Sequence, residues 1–143
     1  MVNLSDEDYG TIRTSWRRVA PLSALLVDLF YDRLFLKAPH LRPLFSKDLS
    51  GQKAKMVDTL SGLVEVLERP DGLEGRITTL AKTHAIYGAL PEHYDLVGEA
   101  LLTTLAELDA VAIRPSELRA WKRFYAEIAR RMIDEQERLK QDV

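Results

Sequence analysis

Cysteine is absent from this sequence, and histidine occurs only three times, at His40, His84 and His93. Without thiols there is no disulfide, no thiolate zinc or iron–sulfur centre, no cysteine nucleophile and no thioether-linked haem. Chemistry that needs an imidazole must draw on those three residues. Neither charge is in excess: twenty Lys+Arg against twenty-two Asp+Glu leave a net charge of −2, so no field draws nucleic acid. No apolar run reaches membrane-spanning length, and the opening MVNLSDEDYG lacks the charged-then-apolar pattern of a signal peptide. Sustained period-2 alternation is missing too, which argues against strands. What remains, 143 residues of which 46% are hydrophobic, is the material of one soluble, cytoplasmic domain with a real core.

The positive signals are helical. Ser5 followed by Asp6, Glu7 and Asp8 places a hydroxyl cap and then acids at the positive end of a helix dipole. Ile12, Trp16 and Val19 continue as one apolar stripe. Pro21 opens a second helix carrying Leu22, Leu25, Leu26, Leu29, Phe30, Leu34 and Phe35, apolar on more than one side. Pro39 and Pro43 bracket a short segment ending at Leu44 and Phe45. A third helix from about Leu49 carries Met56, Val57, Leu60, Leu63, Val64 and Leu67, and RPDG at 69–72 reads as a turn. The next helix holds Leu73, Ile77, Leu80, Ala81 and His84 and stops near Gly88. Pro91 opens another, and Ser116 is the expected cap of the last, whose charged tail DEQERLKQD is free to fray. No repeat or linker divides residues 1–143. Six or seven helices of unequal length, one of them short and proline-bounded, favour an all-α, globin-like pairwise packing around a pocket over a four-helix bundle.

His84 follows Leu80 and Ile77 by one and two turns and shares their apolar face. Spacing alone leaves two readings, a satisfied core histidine or an axial metal ligand. On the third helix periodicity decides a register. If Gln52 faces inward, Met56, Leu49, Leu60 and Leu63 complete its stripe; if Lys53 does, Ser61 and Glu65 point at the core. The Gln52 register is the better one.

Two segments carry a family resemblance. LFYDRLFLKAPHLRPLF at 29–45 and LAKTHAIYGALPEHYDLVGEALLTTL at 80–105 resemble the globins, in particular bacterial single-domain haemoglobins, Hell's-Gate-type globins and the globin domain of flavohaemoglobins. Trp16 and Trp121 match as well, and the likeness runs from about Leu4 to Glu137. The resemblance implies a globin fold around a non-covalent haem b, with His84 on the iron. Tyr31 and Gln52, the latter 32 residues before His84, would face the distal side and donate hydrogen bonds to a bound gas; they are the expected catalytic pair. Phe45, Lys55, Met56, Leu80, Leu90, Tyr94 and Val97 complete the expected cofactor contacts. Lys55 reads equally as a solvated lysine, Met56 as packing and Tyr94 as a core aromatic. His93 and His40 are expected to be bystanders, with His93 facing solvent.

The resemblance further implies dioxygen, nitric oxide and carbon monoxide as ligands. The expected function is reversible dioxygen binding with nitric oxide dioxygenation, or else a non-catalytic oxygen carrier or store, or a gas sensor. No reductase-like segment lies within 1–143, so electrons are expected from a separate reductase. In flavohaemoglobins a tyrosine and a glutamate back the proximal histidine. The tyrosine maps to Tyr94, whereas an ungapped count puts the glutamate position on Arg138, with Glu135 and Glu137 out of register.

Overall fold

A computed structural model describes residues 4–67, 69–86 and 88–141. Among them are six α-helices, two short 3-10 helices and no strand. Helix α1 spans Asp6–Val19, α2 Ser23–Lys37, α3 Ser50–Glu65, α4 Pro70–Ile86, α5 Pro91–Glu107 and α6 Pro115–Gln141. The 3-10 helices Ala20–Leu22 and Pro39–Leu44 flank α2. Among the described residues no helix is long and apolar enough to cross a membrane.

The local signals account for most boundaries. The Ser5 hydroxyl accepts from the Asp8 N–H at 3.1 Å, capping α1. Gly88 takes φ +82°, a left-handed value that costs a glycine little, and its N–H donates to the Ala85 carbonyl where α4 ends. Three boundaries differ from expectation. Helix α4 opens at Pro70, inside the RPDG segment rather than after it, because proline's fixed φ and missing N–H suit the opening position of a helix. Helix α6 begins at Pro115 for the same reason, so Ser116 is inside the helix. There Glu117 reaches back to accept the Arg114 N–H at 2.9 Å while pairing with Arg18 of α1. The charged tail stays helical to Gln141, laced by Glu135–Arg138 and Glu137–Lys140 pairs three residues apart.

Helix α4 packs on α6, α2 on α5, α5 on α6, α1 on α6 and α2 on α3. Each helix buries one apolar stripe in a shared core: Ile12, Trp16 and Val19 from α1, Leu26, Phe30 and Leu34 from α2, and Trp121, Phe124, Ile128 and Met132 from α6. Polar atoms in that core are matched. The Trp121 Nε1–H donates to the Ser15 hydroxyl at 2.8 Å, and Ser15 donates in turn to the Thr11 carbonyl at 2.8 Å.

Where α5 packs on α6, the Tyr125 ring lies against Gly98. A Cβ there would stand 2.5 Å from Tyr125 Cε2. Tyr125 cannot swing away freely, because its hydroxyl donates to the Tyr94 carbonyl at 2.6 Å. Gly98→Ala is therefore expected to destabilise the fold by about 1–3 kcal/mol, read from urea unfolding, despite alanine's better helix propensity. A neutral or stabilising result would mean that the ring relocates without cost.

Candidate functional site

The helices enclose one predominantly apolar cavity of about 210 Å³. Helix α2 supplies Phe30, Tyr31 and Leu34, α3 supplies Gln52, Lys55, Met56, Leu60 and Leu63, and α4 supplies Leu80 and His84. Tyr94, Val97 and Leu101 come from α5, and α6 closes the far end with Trp121, Phe124, Ile128 and Met132.

His84 is half-buried in this wall. Its Nδ1 lies 2.8 Å from the Leu80 carbonyl, so it carries the proton and donates, while Nε2 keeps its lone pair. Burial pushes the imidazole below the ordinary histidine value, outweighing the opposite pull of that carbonyl. A neutral ring with a free Nε2 is the form that binds a metal. The Tyr94 ring stacks beside it, centroids 6.1 Å apart at 26°.

Tyr31 is 2% exposed and packs against Phe30, Phe35 and Phe45. Burial raises its phenol above the ordinary tyrosine value, only partly offset by a side-chain hydrogen bond with Gln52, so the hydroxyl keeps its proton. Lys53 turns outward to Asp28 of α2 at 3.0 Å, leaving the cavity side to Gln52 and Met56 one turn apart. Phe45 is steadied by Arg42, whose guanidinium donates to the Ser46 and Lys47 carbonyls at 2.8 Å each and covers the Phe35 ring.

Comparison with known proteins decides the family. The Globin family model matches residues 28–132. The chain belongs to the globin family. An uncharacterized globin-like protein of Aquifex aeolicus is 28% identical over 95% of this chain and 96% of its own length. A flavohemoprotein of Deinococcus radiodurans is 31% identical over 73% of this chain, which spans only 27% of that relative. A bacterial globin structure from Campylobacter jejuni superposes with a TM-score of 0.81, covering 96% of this chain and 99% of the other, at 23% identity. That last likeness concerns the fold alone.

Globins bind haem, and the residues of this globin fit one. The cavity is apolar, His84 presents a free Nε2 into it, and the side chains of Lys55 and His93 offer cationic or N–H donor groups on its lining. Of the residues expected from sequence to touch the cofactor, Tyr31, Phe45, Gln52, Lys55, Met56, Leu80, His84, Tyr94 and Val97 all line this one cavity. Leu90 does not. It is 46% exposed, and Ala89 takes the wall position because the Gly88 turn rotates Leu90 outward.

Two further expectations change. His93 is half-buried and lines the cavity rather than facing solvent alone, and its ring is recruited to cap α5. Its Nδ1 accepts the Leu90 N–H at 3.0 Å, which leaves the proton on Nε2. The residue behind Tyr94 is Gln136, whose Oε1 accepts the Tyr94 hydroxyl at 2.5 Å, while Arg138 points outward to Glu135. Gln136 lies two positions before Arg138, where the ungapped count falls. Periodicity contained the missing signal: Gln136 follows Met132 by one turn on the buried stripe of α6.

Proposed function

We propose that this globin holds haem b through His84, binds dioxygen reversibly, and turns nitric oxide over with it as a dioxygenase that draws its electrons from a reductase. Haem supplies the iron at which a diatomic gas binds. The net change is NO + O₂ + e⁻ → NO₃⁻, so each turnover consumes one electron from the reductase.

The observation that carries this reading is that two hydrogen-bond donors, the Tyr31 hydroxyl and the Gln52 amide, line the same predominantly apolar cavity as a neutral histidine. Donors pre-placed in a dry pocket favour a ligand that gains negative charge, as dioxygen does, over one that does not. They slow its escape, which suits oxidative chemistry better than bulk delivery. The relationship to flavohemoproteins supports the same reading, although the chain spans only about a quarter of their length.

The test has two steps. Protein purified from haem-replete cells is expected to be red with a strong Soret band, and a colourless product would end the proposal. The oxygenated form, rapidly mixed with nitric oxide, is then expected to yield nitrate in equal amount, and a ferredoxin- or flavin-type reductase should sustain turnover. Stable oxygenation with no nitrate would identify a carrier instead.

A further inference from the structure

Between His84 and α5 the chain makes a tight connection whose polar groups converge on one side chain of α6. The Ala89 N–H donates to the His84 carbonyl at 2.9 Å. The Ala89 carbonyl in turn accepts from Gln136 Nε2 at 3.2 Å, while Gln136 Oε1 accepts the Tyr94 hydroxyl. Tyr94 stacks on His84 and is tied a second time to α6 through the Tyr125 hydroxyl. Gln136 is thus a buried polar residue, 7% exposed, with each end of its amide used by a different part of the segment that carries His84.

The orientation of that amide is fixed by chemistry. Reversing it would set an oxygen against the Ala89 carbonyl oxygen, which cannot donate. A carboxylate fails at the same point, since it only accepts; a protonated carboxyl, with one donor and one acceptor oxygen, would serve. The site therefore demands a neutral group that both donates and accepts.

We infer that Gln136 is a positioning residue, an amide clamp through which α6 sets the seat of His84 and Tyr94. The inference rests on the functional reading of His84 but can fail separately from it. Gln136 touches neither the gas nor the metal position and acts only through Ala89 and Tyr94.

Two variants test it, Gln136→Leu and Gln136→Glu, with helix content checked by circular dichroism. The first readout, on the protein as purified, is amide hydrogen exchange across residues 88–93. Gln136→Leu leaves the Ala89 carbonyl and Tyr94 hydroxyl without partners and should speed exchange there about tenfold or more, with α1 and α2 unchanged. In Gln136→Glu the exchange rate divided by that of wild type should stay near one while the new glutamate is protonated and rise as it ionises. Taking this ratio at each pH cancels titrations common to both chains, including those of His84 and Glu135. Tyr94, pushed up to about 12 by burial, stays protonated throughout.

The second readout, on haem-loaded ferrous protein, is the iron–histidine stretching band. It should shift in Gln136→Leu and become pH-dependent in Gln136→Glu. Wild-type exchange in Gln136→Leu, or a flat ratio at any level in Gln136→Glu, overturns the clamp. Should Gln136→Leu not fold, the Gln136→Glu profile alone decides. A protein that takes up no haem would sink the functional reading, yet the exchange comparison on that same protein still decides the clamp.

Discussion

His84→Ala is expected to lose the Soret band altogether when expressed in haem-replete cells. Of the two imidazoles lining the cavity among the described residues, that of His84 keeps an unengaged lone pair, on Nε2. His93 also lines the cavity, but its Nδ1 lone pair is committed to the Leu90 N–H and its Nε2 carries the proton. Met56 and the protonated Tyr31 are weak neutral donors by comparison. Losing only an outer partner of a metal ligand costs roughly 10–100-fold in affinity, so losing the ligand itself should exceed about 100-fold. Fold stability should change little, because His84 is half-buried and its one hydrogen bond is to a carbonyl within its own helix. Helix content by circular dichroism separates loss of haem from loss of fold. Added imidazole should restore part of the absorbance by entering the vacated space. Retention of the wild-type band would show that another residue holds the iron.

Tyr31→Phe should accelerate dioxygen dissociation about 10- to 100-fold while barely changing carbon monoxide binding. A hydrogen bond to a group bearing charge contributes about 1.5–3 kcal/mol, and each 1.4 kcal/mol is a factor of ten. Dioxygen gains negative charge on binding and carbon monoxide gains little, so the loss falls on dioxygen. Phenylalanine keeps the stacking on Phe35 and the edge contact with Phe45, which confines the change to the hydroxyl. Stopped-flow displacement of dioxygen by carbon monoxide reads the rate directly. Gln52→Leu should show a smaller effect, since Gln52 is only half-buried and its side chain is already hydrogen-bonded to Tyr31. A change of less than about threefold in Tyr31→Phe would place the main donor elsewhere.

Much of this site is written in short-range patterns. The Gln52 register emerges from periodicity because the alternative, with Lys53 inward, points Ser61 and Glu65 at the core, and the Lys53–Asp28 pair shows the outward face that the Gln52 register requires. His84 is marked in the same way by Ile77 and Leu80. The Ser5 cap and the Gly88 stop are local decisions between neighbours in sequence, and the structure places both where their chemistry suggests. Pro115 and Pro70 were harder to place, since a proline suits the first turn of a helix as well as the loop before it.

Other features depend on partners far away in the chain. Gln136 meets Tyr94 across 42 positions, and counting along α6 cannot locate that meeting without the crossing of α5 on α6 at Gly98. His93 looks exposed in sequence between Glu92 and Tyr94; in the structure its ring turns back to accept the Leu90 N–H, one of the helix-end donors that need a partner. Helical periodicity is therefore enough to specify an all-α chain with His84 and Gln52 on inward faces, while Tyr31 is placed by the resemblance of its segment to the globins. The tautomer of His84 is set one turn back, by the Leu80 carbonyl of its own helix, whereas the meeting of Tyr31 with Gln52 and the residue that steadies Tyr94 are settled only when the helices close. Hydrogen bonds are short-ranged and directional, so a side chain's partner is decided by packing, whereas the side of the helix it occupies is decided by its neighbours in sequence.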